Sequence, residues 1–112
     1  EWEDLAYRQY TPDFVLPNGI IIETKGLFTV ADRRKHICIQ QQHPKLDIRF
    51  VFTSSRRKLQ KGSKTTYGMW CEKNNLKYHD RIIPEDWLKE RKKKPHPVFI
   101  EFTGKKIIRR YT

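Results

Sequence analysis

The tripeptide Pro17-Asn18-Gly19, set between the apolar runs Phe14-Val15-Leu16 and Ile20-Ile21-Ile22, constrains this chain more than any other feature. Asn-Gly between two apolar runs is a strong hairpin signal, because glycine accepts the positive φ that tight hairpin turns require. A three-residue loop with Gly19 at the left-handed bulge position pairs Leu16 with Ile20, Phe14 with Ile22 and Asp13 with Glu23. A two-residue Asn18-Gly19 loop shifts the register and sets Asp13 against Thr24 instead. In the first register, period-two alternation puts Ile21, Glu23 and Lys25 on one face and Ile20, Ile22 and Thr24 on the other. Asp13, Glu23 and Lys25 then converge.

Downstream, Thr29-Val30-Ala31-Asp32 reads as a capping box opening a helix through about Gln42, stopped near Pro44. Ile48 to Phe52 is a buried strand, followed by a polar loop from Thr53 to Lys64. Tyr67, Trp70 and Cys71 fall at i, i+3 and i+4, the core face of a second helix ending near Asn74-Asn75. A short strand holds Tyr78, Pro84-Glu85-Asp86 starts a small helix, and Val98 to Phe102 with Ile107 and Ile108 form a terminal hairpin. The order ββαβαβ predicts an α/β fold, a mixed β-sheet flanked by helices. A chain of 112 residues allows a single domain, with a core at about 10–90 and a basic extension at 91–112. No apolar run approaches the roughly 20 residues of a membrane span, and no signal peptide is visible.

Charge is divided unevenly. Residues 1–54 carry seven Lys/Arg and seven Asp/Glu, so the second half supplies the whole net charge of +11. That asymmetry predicts a polyanion partner, nucleic acid, gripped by one part of the molecule. Cys38 and Cys71 offer neither a disulfide framework nor a zinc spacing, which suits a reducing, intracellular setting. His36, His43, His79 and His96 likewise lack zinc spacing and are expected in surface or capping roles.

Two carboxylates opposed across a hairpin repel unless something neutralises them. Mg²⁺ does so well, being a hard cation that takes one or two carboxylates and keeps several waters. Lys25 then stands ready to orient or activate a water and to offset charge developing on a phosphate. The ingredients are those of metal-assisted phosphodiester hydrolysis. On the residues alone, an ordinary cross-strand ion cluster on a solvated face is the competing explanation.

Pro12-Asp13 followed by Glu23-Thr24-Lys25 resembles the PD-(D/E)xK pattern of metal-dependent nucleases. The wider text resembles the phage endonuclease I family of Holliday-junction resolvases. The likeness runs through Tyr10-Thr11-Pro12-Asp13-Phe14, Leu16-Pro17-Asn18-Gly19-Ile20 and Glu23-Thr24-Lys25-Gly26. It resumes at Gln42-His43-Pro44, Leu46-Asp47-Ile48-Arg49, Ser54-Ser55-Arg56, Lys61-Gly62-Ser63, Tyr67-Gly68 and Cys71-Glu72-Lys73, and fades after Ile83-Pro84. It implies a restriction-endonuclease-like core and a structure-selective endonuclease that cuts branched DNA, leaving a 5′-phosphate. Asp13 and Glu23 would bind Mg²⁺, or Mn²⁺ in its place, with the main-chain carbonyl of Thr24 as a further ligand and Lys25 positioning the attacking water. The resemblance also implies an intertwined homodimer acting in the cytoplasm of a phage-infected host. Family members carry one more acidic residue on an N-terminal helix that is missing here; Glu1, Glu3 and Asp4 lie too close to the motif to map onto it.

Arg33, Arg34 and Lys35 open the first helix, and Arg56, Arg57, Lys58, Lys61 and Lys64 fill the loop after the central strand. Both groups follow strand ends and are expected to grip phosphates, which fixes position on DNA without reading bases. Arg91-Lys92-Lys93-Lys94 is a weaker contact. Two other functions compete: a basic nucleic-acid-binding module whose acidic pair is structural, and a PD-(D/E)xK nuclease acting on linear duplex.

Overall fold

The structure, a computed structural model, describes residues 7–91 and 100–103. Along the chain come β1 (Tyr7–Tyr10), β2 (Phe14–Val15), β3 (Ile21–Lys25), α1 (Val30–Gln42) and β4 (Ile48–Phe52). Then follow α2 (Tyr67–Lys73), β5 (Tyr78–Asp80), α3 (Glu85–Leu88) and β6 (Ile100–Thr103). Strands β2 to β5 form one mixed sheet in the order β2-β3-β4-β5. β2 runs antiparallel to β3, whereas β3, β4 and β5 are mutually parallel. Parallel neighbours need crossovers, and α1 and α2 supply them.

The hairpin adopts the register of the three-residue loop. Phe14 pairs with Ile22 and Val15 with Ile21. The Leu16 amide donates to the Ile20 carbonyl at 2.8 Å, and the Gly19 amide to the Leu16 carbonyl at 2.8 Å. Gly19 has φ +92°, the left-handed conformation for which a side chain is a handicap. Buried Asn18 ties the loop down. Its Oδ1 accepts from the Ile20 amide, while its Nδ2 donates to the carbonyls of Trp87 and Glu90 at the end of α3.

Both faces of the sheet are covered, which is why Ile20 to Ile22 and Ile48 to Phe52 are unbroken buried runs. Ile21, Ile48, Phe50 and Phe52 pack with Tyr10, Phe28, Cys38, Ile39, Tyr67 and Cys71, the residues of α1 and α2 among them. Ile20, Ile22 and Val51 pack with Trp87 of α3 on the opposite face. The first crossover starts as the sequence predicts: Thr29 accepts from the Asp32 amide, and the Asp32 side chain returns a bond to the Thr29 amide. Thr66 caps α2 with its side chain alone, accepting from the Met69 amide. No helix among the described residues is long and apolar enough to cross a membrane.

Two features depart from the sequence reading. Strand β1 is absent from the sequence pattern, and β6 pairs antiparallel with it, Tyr10 opposite Ile100. Ile107 and Ile108, like His96 and Lys92 to Lys94, lie outside the described residues. Arg49 interrupts an otherwise apolar strand and is nevertheless buried. Its guanidinium donates to both carboxylate oxygens of Asp47 and both of Glu90 at 2.7–2.8 Å, and stacks over Trp87 at 5.2 Å. A planar, always-charged fork satisfied on every side is the form in which a buried cation is tolerated.

The second concerns His36, which is buried in α1 rather than at the surface. Its ring meets those of Tyr10 and Phe50 edge-on, at 5.6 and 4.9 Å between centroids, and neither ring nitrogen has a hydrogen-bond partner among the described residues. Burial, with the nearby charges of Lys35 and Lys25, lowers its pKa from 6.5 to about 3. Below pH 6.5 the unfolded chain therefore takes up a proton that the folded chain refuses, and stability falls as pH drops toward 3, by up to about 1.4 kcal/mol per unit. His36→Leu removes two orphaned polar atoms and this acid sensitivity together. Thermal melts at neutral pH are expected to show a gain of about 1 kcal/mol, roughly 4 °C. Melts repeated near pH 4.5 should show a larger gain; an equal one would mean that the ring is not held neutral.

Candidate active site

Glu23 sits on the α1 face of β3 and is almost fully buried. Its Oε2 accepts from the Tyr10 hydroxyl at 2.6 Å and from the Asp13 amide at 3.3 Å. Its Oε1 lies 3.9 Å from the Lys25 ammonium. Burial pushes the Glu23 pKa up and the Asp13 charge adds to that, against the opposing pull of the Tyr10 hydrogen bond and Lys25. The Tyr10 phenol, buried and beside a carboxylate, is held far above its usual range and stays a donor.

Asp13 lies one step past the ordered pairing of β2, where the predicted register continues to Glu23. Its amide faces the Glu23 carboxylate, while its own carboxylate turns to the next residue of β3. Oδ2 accepts from the Thr24 amide at 2.9 Å and from the Thr24 hydroxyl at 3.1 Å. The alternation explains why Thr24 is free to do this. The Ile21 amide donates to Asp47 and the Lys25 carbonyl accepts from Thr53, so the odd residues of β3 bond to the β4 side. The Thr24 amide and carbonyl consequently face the other way, toward Asp13.

Lys25 is closer to an acid the motif does not include. Its ammonium is 3.4 Å from Asp32 Oδ1, in the first turn of α1. Burial opposes ionisation of Asp32, but the Thr29 amide and the Lys25 charge outweigh it and hold the Asp32 pKa below the ordinary carboxylate value. The site is thus a buried carboxylate, an exposed one anchored by Thr24, and a half-buried lysine shared between two acids.

The donor set suits a hard divalent cation. Each carboxylate keeps one oxygen, Asp13 Oδ1 and Glu23 Oε1, without a hydrogen bond among the described residues, and the Thr24 carbonyl is on the same side. Among the described residues no group of three or more His, Cys, Asp or Glu is placed to hold a metal ion by itself. Two carboxylates, a carbonyl and waters match what Mg²⁺ accepts, whereas zinc or a softer metal finds no imidazole or thiolate beside them among the described residues.

Beside this group a cleft of about 530 Å³ opens at the C-terminal ends of β3 and β4, lined by Thr24, Lys25, Gly26, Val51, Phe52, Thr53 and Arg81. Parallel sheets bind ligands at this end of their strands. The predicted phosphate-binding residues divide in character. Arg34 is exposed, but Arg33 donates to the Phe28 carbonyl at 2.6 Å and Lys35 lies 5.8 Å over the Tyr10 ring, so both also serve the fold. Arg56, Arg57, Lys58, Lys61 and Lys64 are all exposed. Their loop is a folded excursion closed by the Lys58–Thr66 bridge and by bonds from Tyr67 to Arg57 and from Leu59 to Thr65.

Tyr10 and Arg81 escape a pattern-based search for different reasons. Tyr10 stands three residues before Asp13 within the conspicuous Tyr-Thr-Pro-Asp text, yet only folding brings its hydroxyl to Glu23. Arg81 is an isolated cation 56 residues after Lys25, reaching the cleft through the β4–β5 pairing.

Residues 4–106 match the family model described as Phage endonuclease I. Endonuclease I of Escherichia phage T7 is 62% identical over 84 residues, covering 75% of this chain and 56% of that protein. Endodeoxyribonuclease 1 of Enterobacteria phage T3 is 55% identical over 101 residues, covering 90% of this chain and 65% of that protein. The chain thus spans between half and two-thirds of the length of these curated relatives.

Proposed function

The chain belongs to the phage endonuclease I family, and from that premise we propose that it is a divalent-metal-dependent endodeoxyribonuclease of the PD-(D/E)xK type, resolving four-way and other branched DNA. One observation carries the reading. A nearly buried carboxylate, Glu23, is held with one oxygen hydrogen-bonded and the other facing only the Lys25 ammonium among the described residues, beside Asp13, at the open end of a parallel sheet. Burying a carboxylate next to a second acid costs stability, and such an arrangement is the mark of a site kept for function.

Asp13, Glu23 and the Thr24 carbonyl would hold Mg²⁺ or Mn²⁺. Bound there, the ion supplies Lewis-acid polarisation of the phosphate and a water of lowered pKa. The residues do the rest. Tyr10 and the Asp13 amide fix Glu23 Oε2, and Thr24 fixes Asp13 Oδ2, so the remaining oxygens are set before substrate arrives. Lys25, tethered between Glu23 and Asp32, places its charge beside the reacting phosphate and orients the attacking water. The exposed cations from Arg56 to Lys64, with Arg34, Arg33 and Lys35, hold neighbouring phosphates. A homodimer would present two such sites to symmetric strands of a junction.

The test is a comparison of a synthetic four-way junction with a linear duplex of the same arm sequence, with Mg²⁺, Mn²⁺ or EDTA. Junction strands are expected to be cut to 5′-phosphate products with either metal and to stay intact in EDTA, with the duplex cut more slowly. Equal cutting of both substrates would make the protein a duplex nuclease, and tight binding without cutting a recognition module.

A further inference from the structure

Arg81 is held where an arginine has reason not to be. It lies in the left-handed region, φ +71°, at the centre of a one-residue turn closed by the Ile82 amide donating to the Asp80 carbonyl at 2.8 Å. The positive-φ γ-turn is rare and strained for any residue with a Cβ. Its flanks enforce it. The Arg81 amide donates to the Phe52 carbonyl at 2.7 Å, and the Asp80 carboxylate accepts from the Ser55 amide at 3.0 Å and the Ser55 hydroxyl at 3.1 Å. The turn ends β5 against the end of β4 and leaves Arg81 on the cleft wall, across from Thr24, Lys25 and Gly26.

The chemistry of that wall has one sign. Of the seven lining residues two are cations, Lys25 and Arg81, two are threonines, and none is acidic. Lys25 is shared with Glu23 and Asp32, whereas Arg81 has no ion pair among the described residues. A cationic fork and hydroxyl donors in an open cleft match a phosphodiester, which accepts from both. We propose that Arg81 and Thr53 form a phosphodiester-binding subsite that takes a backbone phosphate of the strand being cut, next to the phosphate at Asp13 and Glu23. The inference rests on the nuclease reading for its substrate and deepens it by naming a contact outside the charged loops.

Fluorescence anisotropy on a labelled four-way junction in EDTA, from about 50 to about 200 mM salt, measures the contact without cleavage. Arg81→Gln is expected to weaken binding about tenfold at low salt and to reduce the log–log salt slope by about 0.9, one phosphate contact on duplex arms. Arg81→Lys should restore the slope. Arg81→Gly also removes the charge but relieves the backbone; it should melt no lower than wild type and still lose the same slope, so a folding defect cannot imitate the result. In Mg²⁺ the loss should appear in KM more than in kcat. An unchanged slope in both Arg81→Gln and Arg81→Gly overturns the subsite even if wild type cuts junctions. A slope that depends on Arg81 in a protein that never cuts DNA would instead overturn the nuclease reading and leave the phosphate contact standing.

Discussion

Glu23→Gln is expected to lower the rate of junction cleavage in Mg²⁺ by about 10³-fold, the scale of losing a preorganised charge at a transition state, while the protein becomes harder to unfold. The two halves of that result have one cause. Glu23 is buried beside Asp13, and its folded pKa stands above the unfolded value of 4.5. Below pH 4.5 the carboxyl is protonated in both states and burial carries no ionic cost. As pH rises past 4.5 toward the folded pKa, the unfolded chain gives up its proton first, so stability drains away. At neutral pH a glutamine, which still accepts from Tyr10 and Asp13, lacks that penalty. Melting in EDTA should show Glu23→Gln above wild type at pH 7 and level with it near pH 4. Asp13→Asn should lose cleavage similarly, while junction affinity holds or rises because a negative charge near phosphate is gone. A variant that keeps cutting, or that melts below wild type at neutral pH, would show that the carboxylate serves the fold.

The largest stability effect belongs to the opposite face of the sheet. Removing Asp47 and Glu90 together, by Asp47→Ala with Glu90→Ala, strands the Arg49 guanidinium, of which only 2% is exposed, without a counter-charge. A loss of about 3–5 kcal/mol is expected. Arg49→Met is predicted to cost much less, because it takes the buried charge away and leaves two carboxylates that are 24 and 32% exposed and able to hydrate. Urea unfolding of the two variants side by side reads the contrast. If Arg49→Met were the worse of the two, the ion pairs would be contributing net stability rather than compensating for a buried cation.

Local signals carried furthest from sequence to structure. The Pro17-Asn18-Gly19 loop set its own register because a left-handed glycine and two short hydrogen bonds decide it within five residues. The Thr29–Asp32 box started α1 for the same reason: both partners lie three residues apart. What sequence could not show depends on distant partners. β1 holds four residues, Tyr-Arg-Gln-Tyr, with no apolar alternation, and is a strand because β6 arrives from about ninety residues away. His36 is a polar residue on a helix and reads as exposed until Tyr10 and Phe50 close over it. The strand through Arg49 reads as buried from its neighbours, but nothing local shows that Glu90, forty-one residues later, folds back to neutralise it. The motif residues were legible as a set, but their division of labour was not: Asp13 engages Thr24 rather than Lys25, and Lys25 is nearer to Asp32 than to Glu23.

Tyr10 closes β1, which belongs to the two-stranded ribbon and not to the four-stranded sheet that carries Glu23. One hydroxyl therefore spans two separately hydrogen-bonded bodies. A displacement of the ribbon by about an ångström takes a 2.6 Å contact beyond hydrogen-bonding range, leaving that carboxylate oxygen with the longer Asp13 amide bond alone and raising its basicity at once. Under the proposed mechanism, whatever grips or shifts that ribbon would change the rate of cleavage as well as the shape of the protein.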